Sequence, residues 1–357
     1  MSQFSNEAAW QTAAGAKPFK LGPGPSPDPA ENEVVIKVAY AAVNPLQDSP
    51  NFELPYPYIF GTDVAGTIVQ LGSSVTRFQL GQRVIGHCDG LITQKKSNAG
   101  FQRYATTREI LVSAIPANIS LANAAVLPLS VSTAASALFH ILDLPYPSVN
   151  PNPAPTGKRI LIWGGSSSVG SSAVQLARAA GLEVVATAGR ANIEYVKRLG
   201  ASRVFDHQDP DVVGKILEVL KEGDYVFDTI GSESTQIASG GIFGKLGGGT
   251  LPITLSPIAG LPDNVKGVFG MCFPQRARES KFVAYELVVN GLAPGLVNLD
   301  VGDAVWRKYL PEALAAGSFQ TKPDPIIIEG LERAQEGLDL LKEGVSAKKI
   351  VIEVAKE

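Results

Sequence analysis

The stretch from residue 159 to residue 181, RILIWGGSSSVGSSAVQLARAAG, constrains the fold of this chain most strongly. An apolar run at 160–163 enters a Gly/Ser loop at 164–170, after which apolar side chains recur at helical spacing. Gly181 stands where a glycine commonly ends a helix. The pattern predicts a strand, a tight loop and a helix. In this order of elements, the N–H groups and the dipole at the helix N-terminus favour a bound pyrophosphate.

Short apolar strands alternate with helical segments after this unit. The sequence predicts strands at 182–188, 202–205 and 225–228, with a helix at 192–199 between the first two. This alternation is typical of an α/β fold with a doubly wound parallel sheet. The Gly/Ser loop lacks the middle glycine of the dinucleotide motif, so a turn that binds no nucleotide remains the alternative.

The residues after the second predicted strand indicate which dinucleotide is used. Folds that select NADH place Asp or Glu there, to accept a hydrogen bond from the ribose 2′-hydroxyl. This chain has Thr187-Ala188-Gly189-Arg190 instead. An arginine pairs with a 2′-phosphate, which a carboxylate would repel. The sequence therefore predicts NADPH as the cofactor, and the alternative is a solvated arginine at a helix start.

Length and composition indicate a two-domain globular protein and give no sign of attraction to nucleic acids or membranes. The chain has 357 residues, a net charge of −3 and two cysteines. We expect two domains, no nucleic-acid or membrane partner, and a reducing, cytoplasmic location. The first 120 residues carry β patterns at 33–42, 65–71 and 82–86. The uncharged stretch 110–142 is interrupted by prolines and is interpreted as buried helices rather than a membrane span.

Six short motifs stand along the chain: Val43-Asn44-Pro45, GTDVAG at 61–66, GQRV at 81–84, AVLPLSVSTAA at 125–135, WGGSSSVGS at 163–171 and Leu199-Gly200-Ala201. With these motifs the chain resembles the medium-chain dehydrogenase/reductase superfamily. It resembles the zinc-free quinone and enoyl reductase branch, and within it the fungal trans-acting enoyl reductases of polyketide synthases. The resemblance implies a GroES-like, β-rich substrate domain at 1–124 and 300–357, and a Rossmann domain at 125–299, with the active site in the cleft.

The positions of the superfamily's catalytic zinc ligands carry other residues here. Zinc favours thiolate and imidazole ligands, but Asn44-Pro45 and Gly61-Thr62-Asp63 stand in the two ligand motifs. The trio His87-Cys88-Asp89 is a poor alternative, because adjacent residues rarely converge on one ion. We therefore predict no metal site.

The resemblance also implies which residues line the site. Asn44, Ser49, Tyr56 and Thr133 are the candidate substrate-binding residues. No catalytic residue is assigned, since Ser49 stands where related enzymes have a lysine, and Tyr56 is the alternative proton donor, with packing as its default role. The candidate cofactor-binding residues are Leu46, Gln47, Asp48, Ser166, Ser167, Ser168, Val169, Arg190, Asn192, His207, Leu255 and Lys348.

These features predict a zinc-independent reductase that transfers hydride from NADPH to an activated C=C bond, in secondary metabolism. The substrate would be a small enone or acyl compound, either free or bound to a carrier protein. The alternatives are a quinone reductase, an imine or cyclising reductase, and a non-catalytic NADPH-binding protein like the lens crystallins. Relatives dimerise through the sheet edge near 265–270, but the bulky insert at 271–300 could block that edge, so monomer and homodimer both remain open.

Overall fold

The computed structural model describes residues 4–45, 54–269 and 299–356, and its backbone forms two compact units. The first unit joins the chain up to Leu129 with the segment from Thr321 onward, and the second unit runs from Ser130 to Gln320. The sequence predicted these boundaries at 124/125 and 299/300. The differences have local causes: the backbone N–H of Leu129 donates to Asp63, and the helix at 299–302 packs with helical residues 136–141 in the second unit.

The described residues form strands in both units. They are β1 (Glu7–Gln11), β2 (Lys20–Pro23), β3 (Glu33–Ala42), β4 (Tyr58–Ile59), β5 (Asp63–Leu71), β6 (Arg83–His87), β7 (Tyr104–Arg108), β8 (Val112–Ala114), β9 (Arg159–Trp163), β10 (Glu183–Ala188), β11 (Arg203–Asp206), β12 (Tyr225–Asp228), β13 (Gly249–Ile253), β14 (Val265–Phe269), β15 (Asp324–Glu329) and β16 (Lys348–Glu353).

The helices are mostly in the second unit. They are α1 (Gly90–Thr93), α2 (Leu121–Ala124), α3 (Pro128–Ala135), α4 (Ser168–Ala179), α5 (Ile193–Leu199), α6 (Val212–Leu217), α7 (Glu233–Lys245), α8 (Leu299–Gly302), α9 (Leu310–Ala315) and α10 (Ala334–Glu343). Helix α3 continues as a π-helix over Ser136–Ile141, and α8 continues as one over Asp303–Tyr309. Short 3₁₀ turns lie at Lys96–Asn98, Glu109–Leu111, Arg190–Asn192 and Leu331–Arg333.

The first unit is built on a seven-stranded sheet in the order β15-β16-β3-β5-β6-β8, with β7 also paired to β3. Strand β3 is its centre, and its side chains are buried on both faces for most of its length. A smaller sheet, β2-β1-β4, lies beside it in the same unit. The C-terminal strand β16 pairs with β3 and β15, so the two ends of the chain form one sheet. The predicted β-rich unit is confirmed.

The second unit is a six-stranded parallel sheet in the order β11-β10-β9-β12-β13-β14. This is the doubly wound strand order of dinucleotide-binding folds. The strands β9, β10 and β11 are added toward one edge of the sheet and β12, β13 and β14 toward the other, so the order reverses between β9 and β12. Leu161, Val185, Val226 and Leu251 form the core of this sheet, and Phe243 of α7 packs against them. The predicted α/β fold with a doubly wound parallel sheet is confirmed.

Within the uncharged region 110–142 that was predicted as buried helices, Leu121–Ile141 forms one apolar helical stretch with a mean hydropathy of 1.6. Residues 112–114 instead form strand β8. The helical stretch is long enough to cross a membrane by length and composition alone, but 89% of its apolar window is buried inside the protein. That degree of burial is typical of a core helix.

Candidate active site

The Gly/Ser loop predicted to bind a pyrophosphate joins β9 to α4, and backbone contacts hold it in place. Gly164, at a φ of +88°, donates its N–H to Thr187 Oγ1 at 2.9 Å, and Gly165 donates to the Thr187 carbonyl at 2.8 Å. A Cβ at Gly170 would lie 2.2 Å from the carbonyl oxygen of Gly164. The start of α4 is therefore packed directly on the loop and tied to the end of β10.

The N-terminus of α4 presents donors that suit an anion. Ser167 caps the helix by accepting a hydrogen bond from the Gly170 N–H at 2.9 Å, and its hydroxyl also bonds Thr229. Ser168 Oγ is buried and has no hydrogen-bond partner among the described residues. Ser166, Ser168 and Val169 lie in the loop and first turn, where backbone N–H groups and the helix dipole favour a phosphate. The residues present fit the predicted pyrophosphate.

The segments after β10 and β11 carry three of the predicted cofactor-binding residues, Arg190, Asn192 and His207. Arg190 begins the 3₁₀ turn after β10, and its Nε donates to Asp206 Oδ2 at 3.3 Å. Asn192 ends that turn, directly before α5. The backbone N–H of His207 donates to the Ala188 carbonyl at 3.1 Å, so His207 lies beside the end of β10. The sequence analysis did not single out Asp206.

Two exposed apolar side chains lie at the same edge of the parallel sheet. A Cβ at Gly164 would lie 2.5 Å from Ile230 Cγ1, and one at Gly231 would lie 2.8 Å from Leu255 Cβ, so these side chains border the loop and turn. Leu255 was predicted from the resemblance, but Ile230 was missed. An apolar residue shortly after a predicted parallel strand is the sequence signal that could have found it, because cofactors bind at this edge of the sheet.

The turn that carries Ile230 is held by a buried carboxylate. Asp228, the last residue of β12, accepts hydrogen bonds at 2.9 Å from the backbone N–H groups of both Ile230 and Gly231. Thr235 Oγ1 donates to the same carboxylate at 2.8 Å. Burial raises the pKa of Asp228, and these hydrogen bonds act against that shift. The carboxylate therefore organises the turn rather than offering a free acceptor.

A buried polar cluster in the first unit brings together the residues at the zinc-ligand positions. Asn44 Nδ2 donates to Thr62 Oγ1 and to Asp63 Oδ2, both at 2.9 Å. The other Asp63 oxygen accepts the backbone N–H of Leu129, at the start of α3, at 2.7 Å. Lys349 of β16 donates to Asn44 Oδ1, and its Nζ lies 3.5 Å from Asp63. We call Asn44, Thr62, Asp63 and Lys349 the polar cluster.

The polar cluster is a poor zinc site on its own chemistry. Its side chains are an amide, a hydroxyl and one carboxylate, with no thiolate or imidazole, and an ammonium group already bonds two of them. Burial lowers the pKa of Lys349, and the facing Asp63 opposes that shift. Over 4–45, 54–269 and 299–356, no three His, Cys, Asp or Glu residues are grouped to hold a metal ion. These residues do not fit zinc.

Lys349 was missed by the sequence analysis, which named Lys348. The side chain of Lys348 is 45% exposed and lies 3.7 Å from Asp324, whereas that of Lys349 is 7% exposed and lies in the polar cluster. Strand alternation places neighbours on opposite faces, but both faces of β16 are buried at its centre. The sequence pattern alone therefore does not show which lysine points inward.

Two of the remaining predicted site residues lie within the described part of the chain, and four lie outside it. Tyr56 is half-buried in the bend before β4, and Thr133 is buried in α3. Leu46, Gln47, Asp48 and Ser49 lie outside the described residues.

Comparisons with known proteins agree with this architecture. Two family models match the chain: the alcohol dehydrogenase GroES-like domain at residues 30–117 and the zinc-binding dehydrogenase at residues 168–250. The trans-enoyl reductase himH of Aspergillus japonicus is 61% identical over 361 residues, covering 100% of this chain and 99% of that protein. The chain belongs to the medium-chain dehydrogenase/reductase superfamily.

Further known proteins match this chain over nearly its whole length. The lovastatin nonaketide synthase enoyl reductase component lovC of Aspergillus terreus is 28% identical, over 92% of this chain and 91% of that protein. A solved alcohol dehydrogenase superfamily protein from Novosphingobium aromaticivorans covers 98% of this chain with a TM-score of 0.73 and 25% identity, and this chain covers 100% of it. Membership makes the chain an oxidoreductase and implies a nicotinamide cofactor.

Proposed function

We propose that this protein is a zinc-independent, NADPH-dependent enoyl reductase of secondary metabolism, which reduces the activated C=C bond of an α,β-unsaturated acyl substrate. The observation that carries this proposal is the 61% identity to a trans-enoyl reductase over the full chain. The names of himH and lovC support a role in trans with a polyketide synthase and an acyl group presented on its carrier domain.

Arg190 supports the choice of NADPH. It follows β10, where folds that select NADH place a carboxylate. A guanidinium pairs well with a phosphate, because its planar N–H groups match the phosphate oxygens. Ser166, Ser167, Ser168 and Val169 would hold the pyrophosphate at the N-terminus of α4, while Asn192 and His207 would lie near the adenosine.

The polar cluster supports zinc independence. A divalent cation among these residues would face the Lys349 ammonium, which bonds Asn44 and lies beside Asp63. Both ends of the Asn44 amide are occupied within the cluster. We therefore assign Asn44 to holding the polar cluster together, rather than to contacting the substrate.

The chain's own contribution to the reaction is binding and orientation. NADPH, when bound, supplies a hydride that adds to the β-carbon of the acyl substrate, and the α-carbon then takes a proton. Ser166–Val169 and Arg190 hold the cofactor by its phosphates, and the exposed apolar side chains of Ile230 and Leu255 would cover it at the sheet edge. Fixed orientation of this kind lowers the entropic part of the barrier.

The test is a reductase assay of the purified protein with NADPH and an α,β-unsaturated acyl thioester. We expect NADPH oxidation with that thioester and none with its saturated analogue, and deuterium from labelled NADPH should appear at the β-carbon. Activity should survive a metal chelator. Turnover only with quinones, or loss of activity on chelation, would contradict the proposal. A carrier-bound thioester that reacts no better than the free one would contradict the role in trans.

A further inference from the structure

Asp206 and Arg190 form an ion pair at the edge of the six-stranded parallel sheet. Asp206 is the last residue of β11 and pairs in register with Ala188, the last residue of β10. Arg190 stands two residues beyond Ala188, and its Nε lies 3.3 Å from Asp206 Oδ2. The Arg190 side chain is 90% exposed, whereas the Asp206 side chain is 14% exposed. A nearly buried carboxylate thus holds an otherwise solvated guanidinium.

The Asp206 carboxylate is itself fixed in orientation. Its Oδ1 accepts the backbone N–H of Gln208 at 3.0 Å, so the turn after β11 holds one oxygen while the other receives Arg190. Arg190 bonds Asp206 through Nε, and within residues 4–45, 54–269 and 299–356 its two terminal Nη groups make no hydrogen bond, so they are left for another partner. These two groups form the fork that matches a phosphate or carboxylate in bidentate geometry.

We propose that Asp206 is a positioning residue that sets cofactor specificity by holding Arg190 with its Nη groups turned toward the 2′-phosphate of NADPH. The inference rests on the proposed function, since it requires NADPH as the cofactor. A free arginine loses side-chain entropy when it binds a phosphate, and an arginine that is already held loses less. Asp206 therefore strengthens phosphate binding through Arg190 without contacting the phosphate.

Two other roles for Asp206 predict different binding data. If its negative charge mainly repels the 2′-phosphate, removing that charge will tighten NADPH binding. If it accepts a hydrogen bond from the ribose 2′-hydroxyl, as carboxylates do in folds that select NADH, removing the charge will weaken NADH binding. The substitution Asp206→Asn distinguishes the three roles, namely positioning Arg190, repelling the 2′-phosphate and binding the ribose. The amide retains an oxygen that accepts the Gln208 N–H, while the negative charge is lost.

The chain offers a matched control for the loss of charge. Asp209 is close in sequence and pairs with Lys215. The hydrogen bond from Lys215 lowers the pKa of Asp209, and Arg190 adds a smaller contribution. Asp209→Asn therefore removes the same charge within the field of Arg190 but leaves the contact between Arg190 and Asp206 intact.

The experiment measures dissociation constants of NADPH, NADH and 2′,5′-ADP by calorimetry for the wild type, Asp206→Asn, Asp209→Asn, Arg190→Ala and Arg190→Ala/Asp206→Asn. We expect Asp206→Asn to weaken NADPH and 2′,5′-ADP binding about threefold to tenfold and to leave NADH unchanged. Asp209→Asn should change the dissociation constants of NADPH, NADH and 2′,5′-ADP by less than about twofold. In the Arg190→Ala background, Asp206→Asn should have no further effect.

The inference is overturned if Asp206→Asn tightens NADPH binding, weakens NADH binding, or acts equally without Arg190. Arg190→Lys gives a second test that leaves Asp206 in place: the lysine keeps the charge but lacks the fork, so NADPH preference should fall and NADH affinity should not. Failure of the proposed function would be visible in the wild type and in Arg190→Ala, without any Asp206 variant. In that case the wild type would not prefer NADPH, and Arg190→Ala would not change the ratio.

Discussion

At the scale of single residues, the two lysines at the start of β16 should differ sharply in their contribution to stability. Lys349→Met leaves Asp63 as a buried carboxylate without its cation, since Lys349 is the ammonium beside it. Removing one partner of a buried pair costs about 3–5 kcal/mol, because the other charge stays desolvated. We therefore expect the free energy of unfolding, measured in urea, to fall by about that amount.

Lys348→Met is the matched control for this prediction. It removes the same charge one position earlier, from a side chain that is 45% exposed and lies 3.7 Å from Asp324. Surface changes of this kind stay within about 0.5 kcal/mol. Equal effects of the two substitutions would show that the polar cluster is not an important source of stability.

His87, the last residue of β6, should make stability sensitive to acid. Burial lowers its pKa to about 4 from the ordinary value of 6.5, while the charge of Asp63 acts in the opposite direction. As the pH falls below 6.5, His87 becomes protonated in the unfolded chain, whereas in the folded protein it stays neutral until about pH 4. The stability lost across this window is about 3 kcal/mol, and the loss levels off below it.

The measurement compares urea unfolding of the wild type and His87→Gln between pH 7 and pH 4. Asp89 and Asp228 have pKa values raised by burial and titrate in the opposite sense, so the difference between the two proteins isolates His87. We expect the variant to lose less stability than the wild type over this range. Identical pH profiles would assign the acid sensitivity to other groups.

At the scale of elements, the contact between the Gly/Ser loop and α4 leaves no room for a side chain. Gly170→Ala would bring a Cβ to within 2.2 Å of the Gly164 carbonyl oxygen, and backbone must move to relieve that clash. The helix N-terminus would shift away from the loop that is proposed to bind the pyrophosphate. We expect affinity for NADPH and NADH to fall at least about tenfold together, because a displaced N-terminus loses its N–H groups and dipole from the site.

Gly241→Ala, inside α7, is the control for this substitution. A Cβ at Gly241 has no neighbour within 4 Å, so the alanine should be neutral or stabilise the helix by up to about 1 kcal/mol. Calorimetric titration with both nucleotides and thermal unfolding test the pair. Normal nucleotide affinity in Gly170→Ala would place the phosphate somewhere other than this loop.

At the scale of the whole molecule, the chain's C-terminus should be essential to the unit formed by its beginning. Strand β16 lies inside the seven-stranded sheet, between β15 and β3. Its side chains Ile350, Val351 and Ile352 are fully buried, and each contributes about 2 kcal/mol by leaving water. Deleting residues 347–357 exposes both neighbouring strands and should abolish the cooperative unfolding of the first unit.

Deletion of residues 356 and 357 alone is the control, since they follow β16. Circular dichroism and limited proteolysis distinguish the two truncations. We expect rapid cleavage of the first unit only when β16 is removed. A longer truncation that still unfolds cooperatively would mean that β3 and its other partners are sufficient without the C-terminal strand.

Much of the fold could be predicted because its signals are local. The strand at 159–163, the loop and α4 follow from adjacent residues, and so do β10, β11 and β12, since side-chain periodicity reflects the conformation of the segment that carries it. The motifs that carried the family resemblance are also short and contiguous. Helix α7 was not predicted, because glycines that weaken a helical pattern are needed for packing: a Cβ at Gly240 would lie 2.6 Å from Leu261.

The sequence by itself determined the α/β class, the Gly/Ser loop before α4 and the superfamily, because each is encoded in consecutive residues. Only the tertiary structure decided that Lys349, rather than Lys348, faces Asp63, since strands far apart in the chain meet there and both faces of β16 are buried. It likewise brought Asp206 to Arg190 through the pairing of β10 with β11. Side-chain partners across a sheet depend on register and on which face is buried, and neither is a property of one segment alone.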